Sequence, residues 1–581
     1  MIEMKTIKPT GWLKKRMEME VSLNVIDKLP QLVPSIFNDD IFAKDRIGMH
    51  TPPKDLGTLE NDDSWNIQLY WWNSETIGNY YDGLMRYGFL LENTSMIKTV
   101  SQLVNHILAS QEEDGYIGIY TKSFRYHFKS ENGELWAKTT IGRFLLGYYH
   151  YTKAPKVLDA VIRMTANVME NYPIHRSTPF QGDNTFAGVA HGLMFVDVLH
   201  TLYEITKDDR YIAYAIFLYE DYNQHNVSEK DGWILNLKDP NYRFKGHGVH
   251  TYEHLRAVAI YDHYMGKNGE LYQLYLDKLS DVISPSGGPI GDEWIMGNIC
   301  DSSLHGYEFC SIHELMASWI FLTKLGMNPP QQAVKKLFFN ANMGAHHPEQ
   351  QTIAYLKSDN SYVMKGSFQV EQPHAPHKIQ TRYKYSPTHQ DAAVCCVPNA
   401  VRITPYFIDG IASIQNEKVH IHIIAPVIIQ LLIDGISYTL EIQQSSIFGD
   451  YQIQTNLPAS SISIDDIQTS TIEIKTDNQG DIYFECNGIV FAYPIASHKQ
   501  TIKTHLFHLE DIHVHPNMEH IPFEYAGDIP ILKYNHDVPN IEVRLVQNNL
   551  IHKVHLVPMG LTDLRQVTFK MRKPEEVLKY E

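Results

Sequence analysis

The sequence predicts a multidomain protein of the α plus all-β class: a closed toroid of helical hairpins, followed by one or two β-sandwich domains. Apolar residues recur at three- and four-residue steps over the first two thirds of the 581 residues, and they alternate with polar residues after about residue 413. We expect a helical barrel over residues 8–413 and a β-sandwich region over residues 414–581, which a strand from residues 1–7 could join.

The helical part divides into segments of 12–20 residues separated by polar turns. Val157, Val161, Met164 and Val168 show the spacing that places one apolar stripe on a helix. Successive pairs recur at roughly 50 residues, a period typical of helical hairpins, and the lack of a tight consensus favours a closed toroid over an open array. The predicted helices are 76–90, 96–110, 134–151, 155–171, 188–206, 209–222, 250–265, 268–282, 311–325 and 330–341.

The second part of the chain contains segments in which every other residue is apolar, as in strands that bury one face. Asp434-Gly435 stands between two apolar runs, and this pair favours the type I′ turn of a two-residue β-hairpin. The alternating segments are 418–424, 437–442, 481–486, 540–546 and 551–557.

Composition limits the partners and the compartment. Lys and Arg total 50 against 67 Asp and Glu, and the net charge of −17 argues against nucleic acid or an anionic membrane as the main partner. No run of about 18 apolar residues predicts a membrane span, and no apolar signal-peptide core follows the first basic residues. Five cysteines give no disulfide framework, so we expect a cytoplasmic protein with reduced thiols.

Two adjacent cysteines, Cys395 and Cys396, precede Pro398 and Asn399, which are typical of a helix start. Backbone amides at a helix N-terminus lower the pKa of a thiol and favour the thiolate. The pair could therefore bind a metal ion or act as a nucleophile. Two small buried apolar residues are the alternative, and the pair alone does not decide between these interpretations.

A second pair, Glu308 and Cys310, precedes the predicted helix 311–325. In an extended segment their side chains would point to the same side. Together with Cys395 and Cys396 they offer three sulfurs and one oxygen, a four-coordinate set suited to Zn²⁺. The spacing matches no zinc finger, so the hypothesis requires the two pairs to meet in space.

A glycine-rich loop, residues 286–294, ends in Gly291-Asp292-Glu293-Trp294. Loops between the helices of a toroid line its mouth, where ligands enter. An indole beside a carboxylic acid raises the pKa of the acid, so Glu293 could donate a proton near neutral pH. A solvated surface turn is the alternative.

Three motifs follow one another along this helical chain: Gly-Asp-Glu at 291–293, Glu-x-Cys at 308–310 and Cys-Cys-x-x-Asn at 395–399. In this order they resemble glycoside hydrolase family 127, whose founding members are β-L-arabinofuranosidases. The opening Lys-Pro-Thr-Gly-Trp-Leu-Lys at 8–14 is similar as well, and the resemblance covers most of residues 8–410.

The resemblance implies an (α/α)6 barrel with β-sandwich domains and a retaining exo-glycosidase that binds zinc. Carried over residue by residue, Zn²⁺ would be bound by Glu308, Cys310, Cys395 and Cys396. Cys395 would be the nucleophile and Glu293 the acid/base. The expected substrate is a short oligosaccharide or glycoconjugate that ends in a pentofuranose, in the first place β-L-arabinofuranose.

Five further residues are candidate substrate contacts: Trp72, Glu75, His191, His247 and Tyr355. Trp72 and Glu75 lie in an aromatic run that begins at Tyr70, the two histidines lie at expected loop–helix junctions, and Tyr355 stands where family members carry an aromatic residue. Core packing is the alternative for the tryptophans, and a capping or core role is the alternative for the histidines.

The run 246–250 resembles a Gly-His-Ala-Val-Arg motif of the arabinofuranosidases, but it has Gly248 and His250 where the motif has Ala and Arg. The sugar is therefore open, and an unusual or acidic sugar of a plant polysaccharide is an alternative substrate. Arg256 is a candidate partner for such an acid.

Other hypotheses assign the chain a different kind of function or mechanism. A non-catalytic sugar-binding toroid would use zinc structurally, and a redox sensor would oxidise Cys395 and Cys396 to a vicinal disulfide. An inverting hydrolase would pair Glu293 with Glu134 or Asp82. We interpret the remaining Cys300 and Cys486 as packing residues, and a homodimer stays open.

Overall fold

The structure is a computed structural model. It describes residues 2–23, 25–48, 71–126, 132–182, 188–362, 366–368, 376–381, 384–388, 395–447, 449–535, 538–572 and 579–580. Tyr70, the first residue of the predicted aromatic run, lies outside these ranges.

The α-helices of the described chain all precede residue 410, and a π-helix, Leu337–Asn342, follows α15. The helices are α1 (Gly11–Leu23), α2 (Leu29–Leu32), α3 (Pro34–Phe37), α4 (Trp71–Leu90), α5 (Thr94–Ala109), α6 (Glu134–Thr152), α7 (Pro155–Asn171), α8 (Gly188–Gly192), α9 (Phe195–Thr206), α10 (Asp209–Tyr222), α11 (Ile234–Lys238), α12 (Gly248–Tyr264), α13 (Glu270–Ser280), α14 (Phe309–Lys324), α15 (Ala333–Lys336), α16 (Met343–Ala345) and α17 (Cys396–Asp409).

Most strands follow residue 410, whereas β1–β7 lie within or before the helical part. The strands are β1 (Ile2–Pro9), β2 (Tyr307–Glu308), β3 (Ile353–Ala354), β4 (Leu356–Lys357), β5 (Gly366–Phe368), β6 (Pro376–Thr381), β7 (Lys384–Ser386), β8 (Ala412–Gln415), β9 (Lys418–Ile421), β10 (Val427–Ile433), β11 (Ile436–Gln444), β12 (Tyr451–Thr455), β13 (Ile462–Ile464), β14 (Glu473–Thr476), β15 (Ile482–Cys486), β16 (Ile489–Pro494), β17 (Ser497–Thr504), β18 (Glu510–Pro516), β19 (Glu524–Tyr525), β20 (Ile531–Asn535), β21 (Val538–Gln547), β22 (Leu550–Pro558), β23 (Arg565–Gln566), β24 (Lys570–Met571) and β25 (Lys579–Tyr580).

The expected change from helices to a many-stranded β region is confirmed. The larger sheets have the orders β1-β10-β11-β12, β13-β9-β8, β17-β18-β7-β3 and β14-β15-β16-β22-β21-β19-β24, and β20, β23 and β25 pair with members of the last. The predicted hairpin is also confirmed. Ile433 pairs with Ile436, and Asp434 and Gly435 have φ values of 49° and 84°, as a type I′ turn requires.

Six helical positions contact one another in a closed cycle: α4, α6, α8–α9, α12, α14, α17 and again α4. We call these the inner helices. Helices α5, α7, α10 and α13 each pack on one or two of them from outside. Because an outer helix buries one face, its pattern is amphipathic: α5 buries Met96, Val100, Val104 and Ile107. An inner helix is enclosed on all sides, and α12 is buried at every position from Gly248 to Asp262.

A chain of buried ion pairs connects all the inner helices at mid-height; we call it the interhelical ion chain. Its guanidinium–carboxylate distances lie between 2.6 and 3.2 Å, and each member comes from a different inner helix. In order, its members are Arg143, Asp197, Arg256, Glu314, Arg402 and Asp82. Beyond it, the C-terminal halves of the same helices line a cavity of about 550 Å³.

Several predicted elements differ in detail. The predicted helix 188–206 is broken between α8 and α9, and only Ala333–Lys336 of the segment 330–341 is α-helical before the π-helix. Helix α1 was not predicted, because it buries only Leu13, Met17 and Glu20 and so lacks a continuous apolar stripe. None of the described helices combines the length and the apolar character that a membrane span requires.

Removing one charge from the ion chain should destabilise the protein. We expect Glu314→Gln to cost about 3–5 kcal/mol, because two buried guanidinium groups lose a partner. A matched change at the exposed pair Glu204–Lys207 of the α9 C-terminus, Glu204→Gln, should cost less than about 0.5 kcal/mol. Thermal unfolding of the two variants measures the difference in stability. Equal shifts of the midpoint temperature would contradict the expectation that the ion chain stabilises the fold.

Candidate active site and metal centre

Polar and aromatic residues lie together at the N-terminal ends of the inner helices. Trp71 and Glu75 come from the start of α4, Trp136 from the start of α6 and His191 from α8. His247 directly precedes α12. Because the amides of a helix N-terminus carry partial positive charge, this end of the ring favours anionic groups.

Glu308, Cys310, Cys395 and Cys396 meet in space, and their donor atoms all lie within 4.8 Å of one another. The Sγ atoms of Cys310 and Cys396 are 3.1 Å apart, and the Sγ atoms of Cys395 and Cys396 are 3.8 Å apart. Glu308 Oε1 lies 3.3 Å from Cys396 Sγ and 3.7 Å from Cys395 Sγ. The four side chains could therefore hold one metal ion.

Local structure explains this convergence. Cys395 is the N-cap residue of α17, with φ −133°, and Cys396 is its first helical residue. Glu308 is the N-cap residue of α14 and pairs with Leu356 of β4. The expectation that Cys310 lies in an extended segment is wrong, since Cys310 is already in α14. The two pairs meet because α14 packs against α17.

The thiols differ in exposure and in charge. Cys395 is partly exposed, whereas the other three donors are buried. Hydrogen bonds with the thiols of Cys310 and Cys396 hold the pKa of Cys395 well below its usual value. Burial raises the pKa of Cys310, Cys396 and Glu308 well above their usual values. The lowered pKa and the partial exposure both distinguish Cys395 from the other three donors.

Glu293 lies beside this cluster and is hydrogen-bonded to His247, whose Nε2 is 2.9 Å from Glu293 Oε2 and 3.6 Å from Glu308 Oε2. Burial opposes the charged imidazole, but the hydrogen bond to Glu293 and the charges of Glu308 and Glu293 outweigh it and raise the pKa of His247 to about 9. The sequence suggested Trp294 as the neighbour that tunes Glu293; the indole instead packs edge-on against His247, with ring centroids 5.6 Å apart.

The backbone around Glu293 is strained and held in place. Glu293 has φ 77°, a left-handed conformation that costs a non-glycine residue about 1–3 kcal/mol. Its carbonyl accepts a hydrogen bond of 2.7 Å from the amide of Gly248. A Cβ on Gly291 would lie 3.3 Å from the Cα of Gly248, so small residues at both positions allow the loop to reach the start of α12.

Aromatic rings and a carboxylate form the wall next to the thiols. His191 stacks on Trp136 with ring centroids 4.3 Å apart, and Trp136 Nε1 donates to Glu75 Oε2 at 2.9 Å. Burial, and then the charge of Cys395, raise the pKa of Glu75 well above its usual value. Trp72 is partly exposed and packs on Trp71, with centroids 5.0 Å apart. A protonated Glu75 can donate a hydrogen bond as well as accept one.

Tyr355 lies on the other side of the thiols. Its hydroxyl is 3.8 Å from Cys395 Sγ, and its carbonyl accepts a hydrogen bond from the amide of Phe309. The hydroxyl contact contributes to the lowered pKa of Cys395. Tyr355 therefore supports the thiolate as well as the start of α14.

Arg256 binds Asp197 and Glu314 in the ion chain, two turns of α12 below the site, so the structure gives no support to Arg256 as a partner for an acidic sugar. The alternative second carboxylates are also engaged elsewhere. Asp82 pairs with Arg86 and Arg402, and Glu134 with Lys138.

Comparison with known protein families agrees with this geometry. The model of the GH127 catalytic domain of β-L-arabinofuranosidases matches residues 59–409. The chain belongs to this family. It is a glycoside hydrolase, as the sequence motifs predicted.

Solved structures with the same fold cover almost the whole chain. A GH127 β-L-arabinofuranosidase from Geobacillus stearothermophilus T6 matches with a TM-score of 0.63 at 13% identity, over 97% of this chain and 98% of that chain. A GH127 β-arabinofuranosidase matches with a TM-score of 0.58 at 14% identity, over 98% of both chains. At these identities the likeness shows the fold alone. No curated protein sequence matches the chain at a significant level.

Sequence reasoning missed Trp136, Glu253 and Glu229 at this family 127 site. Trp136 stacks on His191, Glu253 Oε1 lies 2.7 Å from His191 Nδ1, and Glu229 accepts from the amide of His247. An aromatic residue in the first turn of an inner helix was an available signal for Trp136. The two glutamates gave no comparable signal, because their roles depend on contacts between distant segments.

In protein freed of metal by a chelator, we expect iodoacetamide to alkylate Cys395 first. It combines a lowered pKa with partial exposure, whereas Cys300 and Cys486 are buried with raised pKa values. Cys395 should react at least about ten times faster than these two, and peptide mass spectrometry over time measures the rates. Faster labelling of Cys310 or Cys396 would contradict the assigned thiolate.

Proposed function

We propose that this family 127 hydrolase is a retaining exo-glycosidase that releases a terminal β-L-arabinofuranose, with Cys395 as nucleophile and Glu293 as acid/base. The observation that carries the proposal is the convergence of three thiols and one carboxylate next to the His247–Glu293 pair. Two structural neighbours are described as arabinofuranosidases, which supports the choice of sugar. The closed cycle of inner helices supports the six-hairpin (α/α)6 barrel.

We also propose Zn²⁺ as the metal. Three sulfurs and one carboxylate oxygen suit Zn²⁺, and Mg²⁺ or Ca²⁺ would prefer oxygen ligands. When bound, zinc keeps the thiol of Cys395 deprotonated at neutral pH. The residues present fit this ion, because their donor atoms already lie within 4.8 Å of one another.

The partial exposure of Cys395 supports its role over that of Cys396. A substrate must reach the attacking sulfur, and Cys396 is 1% exposed. A purely structural metal centre needs no solvent-accessible ligand, so the partial exposure of Cys395 also favours catalysis over structural zinc.

In the reaction, Cys395 Sγ attacks the anomeric carbon while Glu293 donates to the leaving oxygen the proton that it shares with His247 across their hydrogen bond. The C–O bond breaks as the C–S bond forms, and the product is a thioglycosyl enzyme. Glu293, now a carboxylate, then takes a proton from a water molecule that attacks the same carbon. The sugar leaves with retained configuration, and both the thiolate and the protonated Glu293 are restored. His247, within hydrogen-bond distance of Glu293, would orient the carboxyl group.

Metal content tests the centre. We expect about one Zn²⁺ per chain by elemental analysis, as a single four-ligand site requires, and clearly less in Glu308→Gln and Cys310→Ser. Cys300→Ser is the matched control, because Cys300 is as buried as Cys310 but outside the cluster. Metal-free protein purified without chelator, or equal loss in the control, would overturn the proposed centre.

Activity tests the nucleophile. We expect wild-type protein to hydrolyse p-nitrophenyl β-L-arabinofuranoside and Cys395→Ala to lose at least about 10³-fold in kcat, because alanine cannot form the thioglycosyl intermediate. A Cys486→Ala variant, changed at a buried thiol of the β region, should keep wild-type kcat. Substantial turnover by Cys395→Ala would instead favour a two-carboxylate mechanism.

A further inference from the structure

We propose that Glu229 and Asp231 are positioning residues: they fix the backbone that precedes α12 and thereby hold His247 against Glu293. The proposal rests on the proposed function, since it assumes that Glu293 is the proton donor. Both carboxylates are almost inaccessible to solvent, since Glu229 is 1% and Asp231 2% exposed.

The two carboxylates bind three consecutive amides. Asp231 accepts from the amides of Lys245 and Gly246 at 3.0 and 2.9 Å, and Glu229 Oε2 accepts from the amide of His247 at 2.9 Å. Asp231 also accepts from the hydroxyls of Tyr242 and Thr251. These donors offset the cost of burying Asp231, whereas Glu229 accepts at Oε2 from the amide of His247, and no step of the proposed reaction uses either group.

The segment that carries the carboxylates is itself anchored. The hydroxyls of Tyr222 and Tyr219, both on α10, donate to the carbonyls of Glu229 and Gly232 at 2.7 and 2.6 Å. Glu229 and Asp231, which we call the clamp, therefore fix residues 245–247 relative to helix α10 rather than to another loop.

Gly246 is required for this approach. A Cβ at position 246 would lie 2.4 Å from Glu229 Oε2, closer than any real contact, and 3.1 Å from Asp231 Oδ2. Gly246 thus allows Glu229 and Asp231 to approach the backbone, and His247, the next residue, contacts Glu293.

The clamped segment connects directly to the acid/base candidate. Residues 244–248 exchange backbone hydrogen bonds with 293–297: Ile295 N donates to Gly246 O at 3.0 Å, and Gly248 N donates to Glu293 O at 2.7 Å. The ring of His247 then reaches Glu293 Oε2. A shift of residues 245–247 would move both the backbone and the side-chain partner of Glu293 at once.

Four variants test the proposal. Glu229→Leu removes the acceptor for His247, whereas Glu229→Gln keeps an oxygen there. Asp231→Asn replaces one of the two oxygens that the amides and hydroxyls bind. Asp262→Asn is its matched control: Asp262 is equally buried on α12 and accepts from the amides of Gly269 and Tyr272, but at the opposite end of the helix.

The measurement is kcat/KM on two arabinofuranosides, one with an alkyl and one with a 2,4-dinitrophenyl leaving group. For the alkyl glycoside, which needs protonation, we expect Glu229→Leu and Asp231→Asn to lose about 10²-fold, and Glu229→Gln to stay within about threefold of wild type. The dinitrophenyl glycoside needs no protonation, so all variants should lose less than about tenfold on it. Asp262→Asn should lower thermal stability but leave both values unchanged.

Equal losses on the two substrates, or a comparable loss in Asp262→Asn, would overturn the positioning role and leave only a structural one. Crystal structures of wild type and Glu229→Leu give a readout that needs no activity. We expect the distance between His247 Nε2 and Glu293 Oε2 to exceed about 3.5 Å in the variant, beyond hydrogen bonding. Wild-type protein inactive on both glycosides would refute the proposed function, and an unchanged distance would refute the clamp independently.

Discussion

The interhelical ion chain is the constraint on which the site depends. It joins all six inner helices through alternating guanidinium and carboxylate groups, most of which are fully buried. A buried charge is tolerated only while its partner stays in place. Each inner helix is therefore fixed in height and rotation relative to its neighbours. Residues nearer the N-termini of the inner helices are therefore also held at fixed positions relative to one another.

The distance from the ion chain to the site is short. Glu314 follows Cys310 by four residues, Arg402 follows Cys396 by six, and Asp82 follows Glu75 by seven. At a rise of 1.5 Å per residue these offsets are about 6–10 Å along each helix. Side chains from separate helices can thus meet within a few ångströms, although no local sequence signal links them. The chain also separates the site from the cavity at the C-terminal ends of the helices.

Sequence patterns predicted the structural features that depend on residues close together in the sequence. The type I′ turn at Asp434-Gly435 and the apolar face of α7 follow from local rules, and both are present. The donor set could be suggested from residue types, but its convergence depends on the packing of α14 against α17. Arg256 shows the limit most clearly: it is close to His250 in sequence, yet the helix rise places it in the ion chain. The contact of Glu229 with His247 spans 18 residues and a loop, so no pattern in the sequence indicates it.

The two adjacent cysteines at the start of α17 differ in backbone conformation and in exposure. Cys395 has a non-helical backbone conformation, with φ −133° and ψ −61°, whereas Cys396 has entered the helix, so successive side chains leave the backbone in different directions. The result is one cysteine that is partly exposed and one that is buried against Cys310. A vicinal disulfide would need the two sulfurs at about 2.05 Å, and they lie 3.8 Å apart, while Cys310 and Cys396 are closer. Both sulfurs could therefore contact one cation, and Cys395 is the more exposed of the two residues.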